Sequence, residues 1–228
     1  MSTTLTPVGT LHSPYREKFA IPRQPGLARL PAVLELLAPF DRPEAVRGLD
    51  GFSHVWLIFG FHATAAAGWK PTVRPPRLGG NARLGVFATR STFRPNPLGL
   101  SVVELAGIRC AGGVFLDLIG ADLLDGTPVY DVKPYLPYAD AIPGARAGFA
   151  PEPPARLAVA FAPAAAQVLA AHPEPRLREW LVAVLALDPR PAYRTGEDGD
   201  FGVRLFEFDV RAEIRGGQLT VRELRRAG

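Results

Sequence analysis

The residues best suited to chemistry lie in one loop, residues 85–101, which reads GVFATRSTFRPNPLGLS. It carries Arg90, Arg94 and Asn96 beside hydroxyl side chains, and this donor set suits phosphate or carboxylate groups. Two prolines at alternate positions restrict the backbone and reduce the entropy that ligand binding would remove. We therefore predict a preorganised anion-binding loop, with a rigid connection of no function as the alternative.

Two further loops are candidates for the same site. Residues 122–128, DLLDGTP, offer two carboxylates, a hydroxyl and backbone amides, which can receive a ribose hydroxyl or an ammonium group. A plain hairpin turn at Asp125 and Gly126 is the alternative. Residues 15–26, YREKFAIPRQPG, are too polar and too rich in proline for a core. They form either a binding loop or a flexible terminal loop.

A fourth segment, residues 188–194, reads DPRPAYR and combines proline, two arginines and an aromatic side chain. Such a combination can stack on exposed bases and neutralise phosphates. The segment is therefore a candidate for nucleic-acid contact.

The histidines do not predict a metal site. His54, Trp56 and His62 share parity along a predicted strand and would point to the same side of a sheet. In such a strand the two histidines would lie about 26 Å apart, too far to share one ion. Each is either a hydrogen-bonded structural residue or, for His62 at the strand end, a site residue. The chain has no Rossmann or P-loop signature, so a nucleoside cofactor would need another kind of pocket.

Positive charge is concentrated in one stretch. The chain carries a net charge of +4, yet residues 51–103 contain no acidic side chain. The six basic residues of that stretch are Lys70, Arg74, Arg77, Arg83, Arg90 and Arg94. We expect a polyanion or an anionic small molecule as the partner.

The element pattern changes along the chain. Short apolar or alternating segments dominate the first 140 residues and predict strands; they are residues 6–12, 52–61, 83–88, 100–108, 114–120 and 128–134. Helix is indicated at residues 32–37 and 43–47. Many short strands with little helix between them favour an antiparallel barrel or a sandwich.

A linker and a second unit follow. Residues 141–155 are rich in Ala, Pro and Gly and predict a linker between domains at 1–140 and 156–228. The second unit has an α+β pattern, with helices at 163–171 and 177–187 and strands at 203–211 and 218–224. Its core is small, so we expect it to pack on the first domain.

Composition excludes several classes of protein. The 228 residues are 47% hydrophobic and 21% charged, which is ordinary for a globular chain. A single cysteine excludes an internal disulfide and a cysteine zinc cluster. No segment approaches the roughly 20 apolar residues that span a bilayer. We expect a cytoplasmic protein that neither binds a metal nor enters a membrane.

Taken together, these segments resemble the TrmO family, also called YaeB or TsaA-like proteins, which are tRNA (adenine-N6)-methyltransferases. The resemblance spans nearly the whole chain. Its motifs, in order, are HSPY at 12–15, PRQP at 22–25, GFSHVWL at 51–57, RPPR at 74–77, residues 88–101, LLDGTP at 123–128, DVKPY at 131–135 and DPRPAYR at 188–194.

The resemblance implies a fold and an activity. The fold is mainly β, an antiparallel β-barrel N-terminal domain with a small α+β C-terminal domain. The implied enzyme is a homodimer that uses S-adenosyl-L-methionine. Its substrate is tRNA bearing N6-threonylcarbamoyladenosine just 3′ of the anticodon, which it methylates at N6. A non-catalytic RNA-binding β-barrel protein is the alternative.

The resemblance also implies site residues. Cofactor contacts are expected from Pro22, Arg23, Gln24, Phe61, His62, Arg90, Leu100, Leu124, Asp125, Gly126 and Thr127. For catalysis, Asp125 or His62 would accept the N6 proton, while Arg94 or Asn96 would polarise the neighbouring carbonyl. Contacts with the tRNA and its anticodon stem-loop are expected from Arg77, Arg190, Tyr193 and Arg194.

Overall fold

The computed structural model describes residues 4–79, 82–191, 194 and 196–227 of the chain. The strands in these ranges are β1 Gly9–His12, β2 Pro31–Leu36, β3 His54–Gly60, β4 Thr72–Val73, β5 Leu84–Gly85, β6 Leu98–Arg109, β7 Phe115–Ile119, β8 Thr127–Pro134, β9 Ala158–Phe161, β10 Gly199–Leu205, β11 Phe208–Arg215 and β12 Gln218–Arg226. The helices are α1 His62–Ala65, α2 Pro137–Asp140, α3 Pro163–Ala170 and α4 Leu177–Leu185, with 3-10 turns at Pro43–Val46, Leu49–Gly51, Pro76–Leu78 and Val86–Ala88.

A closed antiparallel barrel forms the first domain, with its strands in the order β1-β2-β7-β6-β3-β8. Alternation along β3 explains its core, because Val55, Leu57 and Phe59 point inward and are buried. Closure leaves the sheet without free edges. The predicted fold class, mainly β with a barrel domain, is confirmed.

Residues 32–37 were expected to be helical, and that expectation is wrong. Residues 32–36 belong to β2, which pairs with β1 on one side and β7 on the other. Ala32 and Leu34 alternate with more exposed neighbours and enter the barrel core. Hydrogen bonding to two strands overrides the helix propensity of Ala and Leu.

Two strand predictions are also corrected. Residues 203–211 are not one strand, because a turn at residues 206–207 separates β10 from β11. His62 does not continue β3 but begins the one-turn helix α1, so it does not share a sheet face with His54 and Trp56. The Trp56 indole lies outside the barrel, where its Nε1 donates to Oδ2 of Asp140 at 2.9 Å.

The second domain is a four-stranded sheet in the order β10-β11-β12-β9, covered by helices. The pair β12–β9 is parallel, and α3 follows β9 directly. Helix α4 buries Leu177, Leu181, Val184 and Leu185 against the sheet. Its apolar positions recur at intervals of three or four residues, as expected for one buried face.

Part of the N-terminal segment packs on the second domain instead of on the barrel. Tyr15 and Leu30 join the hydrophobic core of the second domain. Tyr15 forms an antiparallel bridge with Leu205, and the amide of Phe206 donates to the carbonyl of Pro14 at 2.9 Å. The two domains therefore share one buried interface built from residues far apart in sequence.

The barrel has two distinct ends because its strands are antiparallel. The C-terminal end of β1, the C-terminal end of β3 and the start of β6 lie together at one end. The loop after β7 and the start of β8 lie at this same end, which we call the open mouth.

In the described residues, no helix has the length and apolarity needed to span a bilayer.

Candidate active site at the open mouth

The loop of residues 120–127 lies directly against the N-terminal segment. The amide of Gly126 donates to the carbonyl of Leu11 at 2.9 Å, and the amide of Asp125 donates to the carbonyl of Tyr15 at 3.0 Å. Inside the loop, Oγ1 of Thr127 donates to the carbonyl of Leu124 at 2.6 Å. Backbone hydrogen bonds thus fix two of the predicted binding loops against one another.

Asp125 holds these two loops together through both carboxylate oxygens. Oδ1 accepts a hydrogen bond from the amide of Ser13 at 2.9 Å, and Oδ2 pairs with the guanidinium of Arg16. Both carboxylate oxygens are therefore engaged by the N-terminal segment. The geometry favours a structural contact for Asp125 over the proton-acceptor role expected from the sequence.

A second carboxylate of the same loop was missed as a candidate for catalysis. Asp122 is partly buried, and its Oδ1 accepts a hydrogen bond from Oγ of the buried Ser101 at 2.6 Å. Removal from bulk water raises the pKa of Asp122 to about 6, although the Ser101 hydrogen bond and the charge of Arg90 favour the ionised form. In the sequence, the signal was an aspartate flanked by the apolar residues Ala121 and Leu123. Both of these neighbours are buried in the structure.

Tyr15 brings an unpartnered hydroxyl to this region. Its side chain is 1% exposed, and its hydroxyl finds no hydrogen-bond partner among the described residues. Burial raises the pKa of Tyr15, and the charge of Asp122 raises it further, so the phenol stays protonated. A buried hydroxyl without a partner is unfavourable and marks a place where a ligand or water can bind.

The loop of residues 85–101, which we call the Pro-stiffened loop, is tied to the end of β3. The amide of Phe61 donates to the carbonyl of Pro97 at 2.7 Å, and the Phe61 ring packs edge-on against Phe59 at 5.3 Å. Arg94 is engaged in the loop itself, since Nη1 donates to the carbonyls of Thr89 at 2.8 Å and Val86 at 3.3 Å. Asn96 is exposed.

Arg90 and Gln24 meet although 66 residues separate them. Nη1 of Arg90 donates to Oε1 of Gln24 at 2.5 Å, which joins the N-terminal segment to the Pro-stiffened loop. Pro22 is buried beside Gln24, and Leu100 is exposed near the start of β6. His62 is exposed at the start of α1. The predicted cofactor residues therefore come from four segments of the chain that converge at the open mouth.

Arg23 faces the second domain instead. It lines a cleft of about 320 Å³ between the N-terminal segment and the second domain. Asp188, Pro189 and Arg190 line the other side of this cleft, and Pro76 contributes from the barrel domain.

Arg190 does not offer its side chain to an external partner, which corrects the tRNA contact expected from sequence. It is 3% exposed and forms a bidentate pair with Asp188, with Nε–Oδ1 and Nη2–Oδ2 distances of 2.8 Å. Its Nη1 donates to the carbonyl of Glu197 at 2.6 Å. With its donors engaged, Arg190 has a structural role.

The other expected tRNA contacts differ from one another. Arg77 is exposed and donates to the carbonyl of Glu152. Arg194 lies 3.8 Å from a carboxylate oxygen of Glu197. Tyr193 lies outside the described residues.

Among the residues described, no group of three His, Cys, Asp or Glu side chains is arranged to hold a metal ion.

Comparison with known families matches both domains. A model described as the tRNA-methyltransferase O N-terminal domain matches residues 10–141, and one described as the TrmO C-terminal domain matches residues 154–227. The chain belongs to the tRNA-methyltransferase O family. The family resemblance predicted from the motifs is therefore confirmed, and with it the prediction that the chain is an enzyme.

Individual members of this family are similar over most of their length. The tRNA (adenine(37)-N6)-methyltransferase of Escherichia coli strain K12 is 54% identical over 214 residues, which are 91% of each chain. A putative S-adenosylmethionine-dependent methyltransferase, RcsF, of Pseudomonas aeruginosa is 52% identical over 218 residues, 92% of each chain. A crystal structure of TrmO from Pseudomonas aeruginosa superposes with a TM-score of 0.81 at 43% identity, covering 100% of this chain and 98% of the other.

Proposed function

We propose that this member of the tRNA-methyltransferase O family transfers a methyl group from S-adenosyl-L-methionine to N6 of adenine 37 in tRNA. We further propose that the adenine carries a threonylcarbamoyl group. The observation that carries the proposal is the convergence of the family's motif segments at the open mouth, in a chain 54% identical to a tRNA (adenine(37)-N6)-methyltransferase.

The residues at the open mouth fit this cofactor. S-adenosyl-L-methionine carries ribose hydroxyls, an ammonium, a carboxylate and a sulfonium. Its binding site must therefore supply both hydrogen-bond acceptors and hydrogen-bond donors. The mouth offers the guanidinium of Arg90, the side-chain amide of Gln24 and the backbone of residues 124–127. When bound, S-adenosyl-L-methionine supplies an electrophilic methyl group.

The protein contributes alignment and charge. The Arg90–Gln24 hydrogen bond and the Asp125–Ser13 hydrogen bond fix three segments around one volume, so reactants meet in an oriented state. Arg94 and Asn96 lie in the same rigid loop and remain our candidates for polarising the carbamoyl carbonyl.

Exposed basic side chains that pair with no acid among the described residues supply the RNA surface. The stretch of residues 51–103 has no acid, and its exposed arginines include Arg77, Arg83 and Arg90. By contrast, arginines on the exposed face of the second sheet are paired with acids, among them Arg204 with Asp209 and Arg225 with Glu223. We infer that phosphate contacts come mainly from the barrel domain and that the second domain adds contacts through Arg194.

We also propose that the enzyme acts as a homodimer with the barrel domain as its catalytic unit. Phe87 and Leu100 carry apolar side chains that are 76% and 53% exposed beside the candidate site. Apolar surface of this kind favours contact with another protein surface. Sedimentation equilibrium tests the proposal, because a purely monomeric protein at micromolar concentration would contradict it.

Two assays test the function. Calorimetry measures binding of S-adenosyl-L-methionine, and absence of binding at millimolar cofactor favours the non-catalytic RNA-binding alternative. Labelled cofactor is then incubated with tRNA that carries or lacks the threonylcarbamoyl group. We expect label at N6 of adenine 37 only in the modified tRNA, and equal labelling of both would contradict the substrate assignment.

A matched pair of variants tests the RNA surface. Arg83→Ala removes an exposed charge from the acid-free stretch, while Arg109→Ala removes an exposed arginine that is already paired with Asp117. We expect the first to weaken tRNA binding and lower the slope of log K against log salt by about 1, and the second to change neither.

A further inference from the structure

Asp122 is a carboxylate at the open mouth to which the family's motifs assign no catalytic role. It follows β7 and precedes β8, so it lies where the candidate cofactor segments meet. Ser101, buried on the neighbouring strand β6, donates to one of its oxygens at 2.6 Å. Within the described part of the chain, no other side chain donates to this carboxylate. One oxygen is thus oriented by the fold, and Asp122 remains partly accessible.

We propose that Asp122 accepts the N6 proton during methyl transfer and that Ser101 is the positioning residue that orients it. This inference rests on the function proposed above. N6 of the modified adenine is conjugated to a carbonyl, so its lone pair is a poor nucleophile until the proton is leaving. A carboxylate at the reaction site supplies that acceptor.

The rival bases fit the geometry less well. Both oxygens of Asp125 are occupied, by the amide of Ser13 and the guanidinium of Arg16. His62 is exposed on the one-turn helix α1. Among the three, only Asp122 is both partly buried and without an ion pair in the described residues.

The surroundings of Asp122 raise its pKa to a value suited to a general base at neutral pH. The titratable and charged groups that face it are the phenol of Tyr15 and the guanidinium of Arg90. Loss of water around the carboxylate outweighs the effects of Ser101 and Arg90, so its pKa rises to about 6. Such a base is ionised at neutral pH yet strong enough to take a proton.

The N6–H proton passes to a carboxylate oxygen of Asp122, and the electrons of that N–H bond remain on N6. N6 forms its bond to the methyl carbon, and the electrons of the broken sulfur–carbon bond neutralise the sulfonium. The protonated carboxyl of Asp122 then loses its proton to water.

The first experiment needs no cofactor. Carbon-13 NMR of aspartate carboxyl groups follows their titration in the ligand-free protein. We expect one carboxyl to titrate near pH 6, to be absent from Asp122→Asn, and to titrate at higher pH in Ser101→Ala, because the hydroxyl that favours its ionised form is gone. Absence of any carboxyl that titrates between pH 5 and 7 would overturn the proposal.

The second experiment measures single-turnover methyl transfer. We expect Asp122→Asn to slow the chemical step at least about 100-fold while the dissociation constant for S-adenosyl-L-methionine changes less than about threefold. Asp122→Glu should restore part of the rate. Asp117→Asn, which changes an exposed aspartate paired with Arg109, is the matched control and should keep the parent rate.

The outcomes separate this inference from the proposed function. If the parent protein transfers no methyl group to tRNA, the proposed function fails. If the parent is active and Asp122→Asn is equally fast, or if this variant loses cofactor affinity instead of rate, Asp122 is not the base. Ser101→Ala should shift the acidic limb of the rate–pH profile to higher pH, and Ser101→Thr should restore the parent profile. An acidic limb that does not shift in Ser101→Ala would contradict the positioning role of Ser101.

Discussion

The backbone amide of Ser13 donates to Oδ1 of Asp125 at 2.9 Å, joining segments that lie 112 residues apart in the chain. Oγ of Ser13 adds a second link, donating to the carbonyl of Leu123 at 2.8 Å. Because Ser13 begins the segment that reaches the second domain, this contact couples the barrel mouth to the interface between domains.

Replacing Asp125 tests that coupling. Asp125→Ala removes the acceptor of the Ser13 amide and the partner of Arg16, so we expect the free energy of unfolding to fall by about 1–3 kcal/mol. Affinity for S-adenosyl-L-methionine should fall as well, because the loop loses its anchor. Asp200→Ala, which removes an exposed partner of Arg215, should change stability by less than about 1 kcal/mol. Urea unfolding and calorimetry measure both quantities; equal stability of the two variants would contradict the prediction.

Arg190 and Arg194 should respond in opposite ways. Arg190→Ala removes a buried guanidinium and leaves the partly buried Asp188 without its partner, so we expect a loss of about 3–5 kcal/mol of stability. Arg194→Ala should leave stability nearly unchanged but weaken tRNA binding and lower its salt dependence. Thermal unfolding and salt-dependent binding assays distinguish the two. An Arg190→Ala protein as stable as the parent would refute the structural role.

The hydroxyl of Tyr15 should cost stability. It is buried and finds no partner among the described residues, so Tyr15→Phe removes an unsatisfied group without changing the packing. We expect the free energy of unfolding to rise by about 1 kcal/mol. Tyr15→Ala, in contrast, should lower it by about 3–5 kcal/mol through the cavity it leaves. A less stable Tyr15→Phe protein would indicate that the hydroxyl binds ordered water.

Asp122 should make stability depend on pH. Its pKa is about 6 when folded against an ordinary value of 3.8, so between pH 4 and 6 the folded state binds more protons than the unfolded state. The free energy of unfolding therefore falls as the pH rises through this window, by about 1–3 kcal/mol in total. Asp122→Asn should be more stable than the parent at pH 7, with the difference shrinking toward pH 4. Urea unfolding at both pH values checks this, and a variant less stable at pH 7 would oppose it.

The sequence determined the class of fold and the binding segments. Short alternating segments predicted β3, β6, β7 and β8, because residues that face a barrel core repeat every second position. Motif order identified the family, and the three loops that converge at the mouth were recognised from proline, glycine and charged residues alone. These features are local, so local physics specifies them.

Only the tertiary structure decided what each side chain does. Residues 32–36 became a strand because β1 and β7 flank them, and no local propensity encodes those neighbours. Arg190 resembled an RNA contact in sequence, yet Asp188 and the carbonyl of Glu197 enclose it. Asp122 owes its raised pKa to burial between strands, which outweighs the opposing hydrogen bond from Ser101, 21 residues away. Burial and ion pairing depend on contacts between distant segments, and these exist only once the barrel has closed.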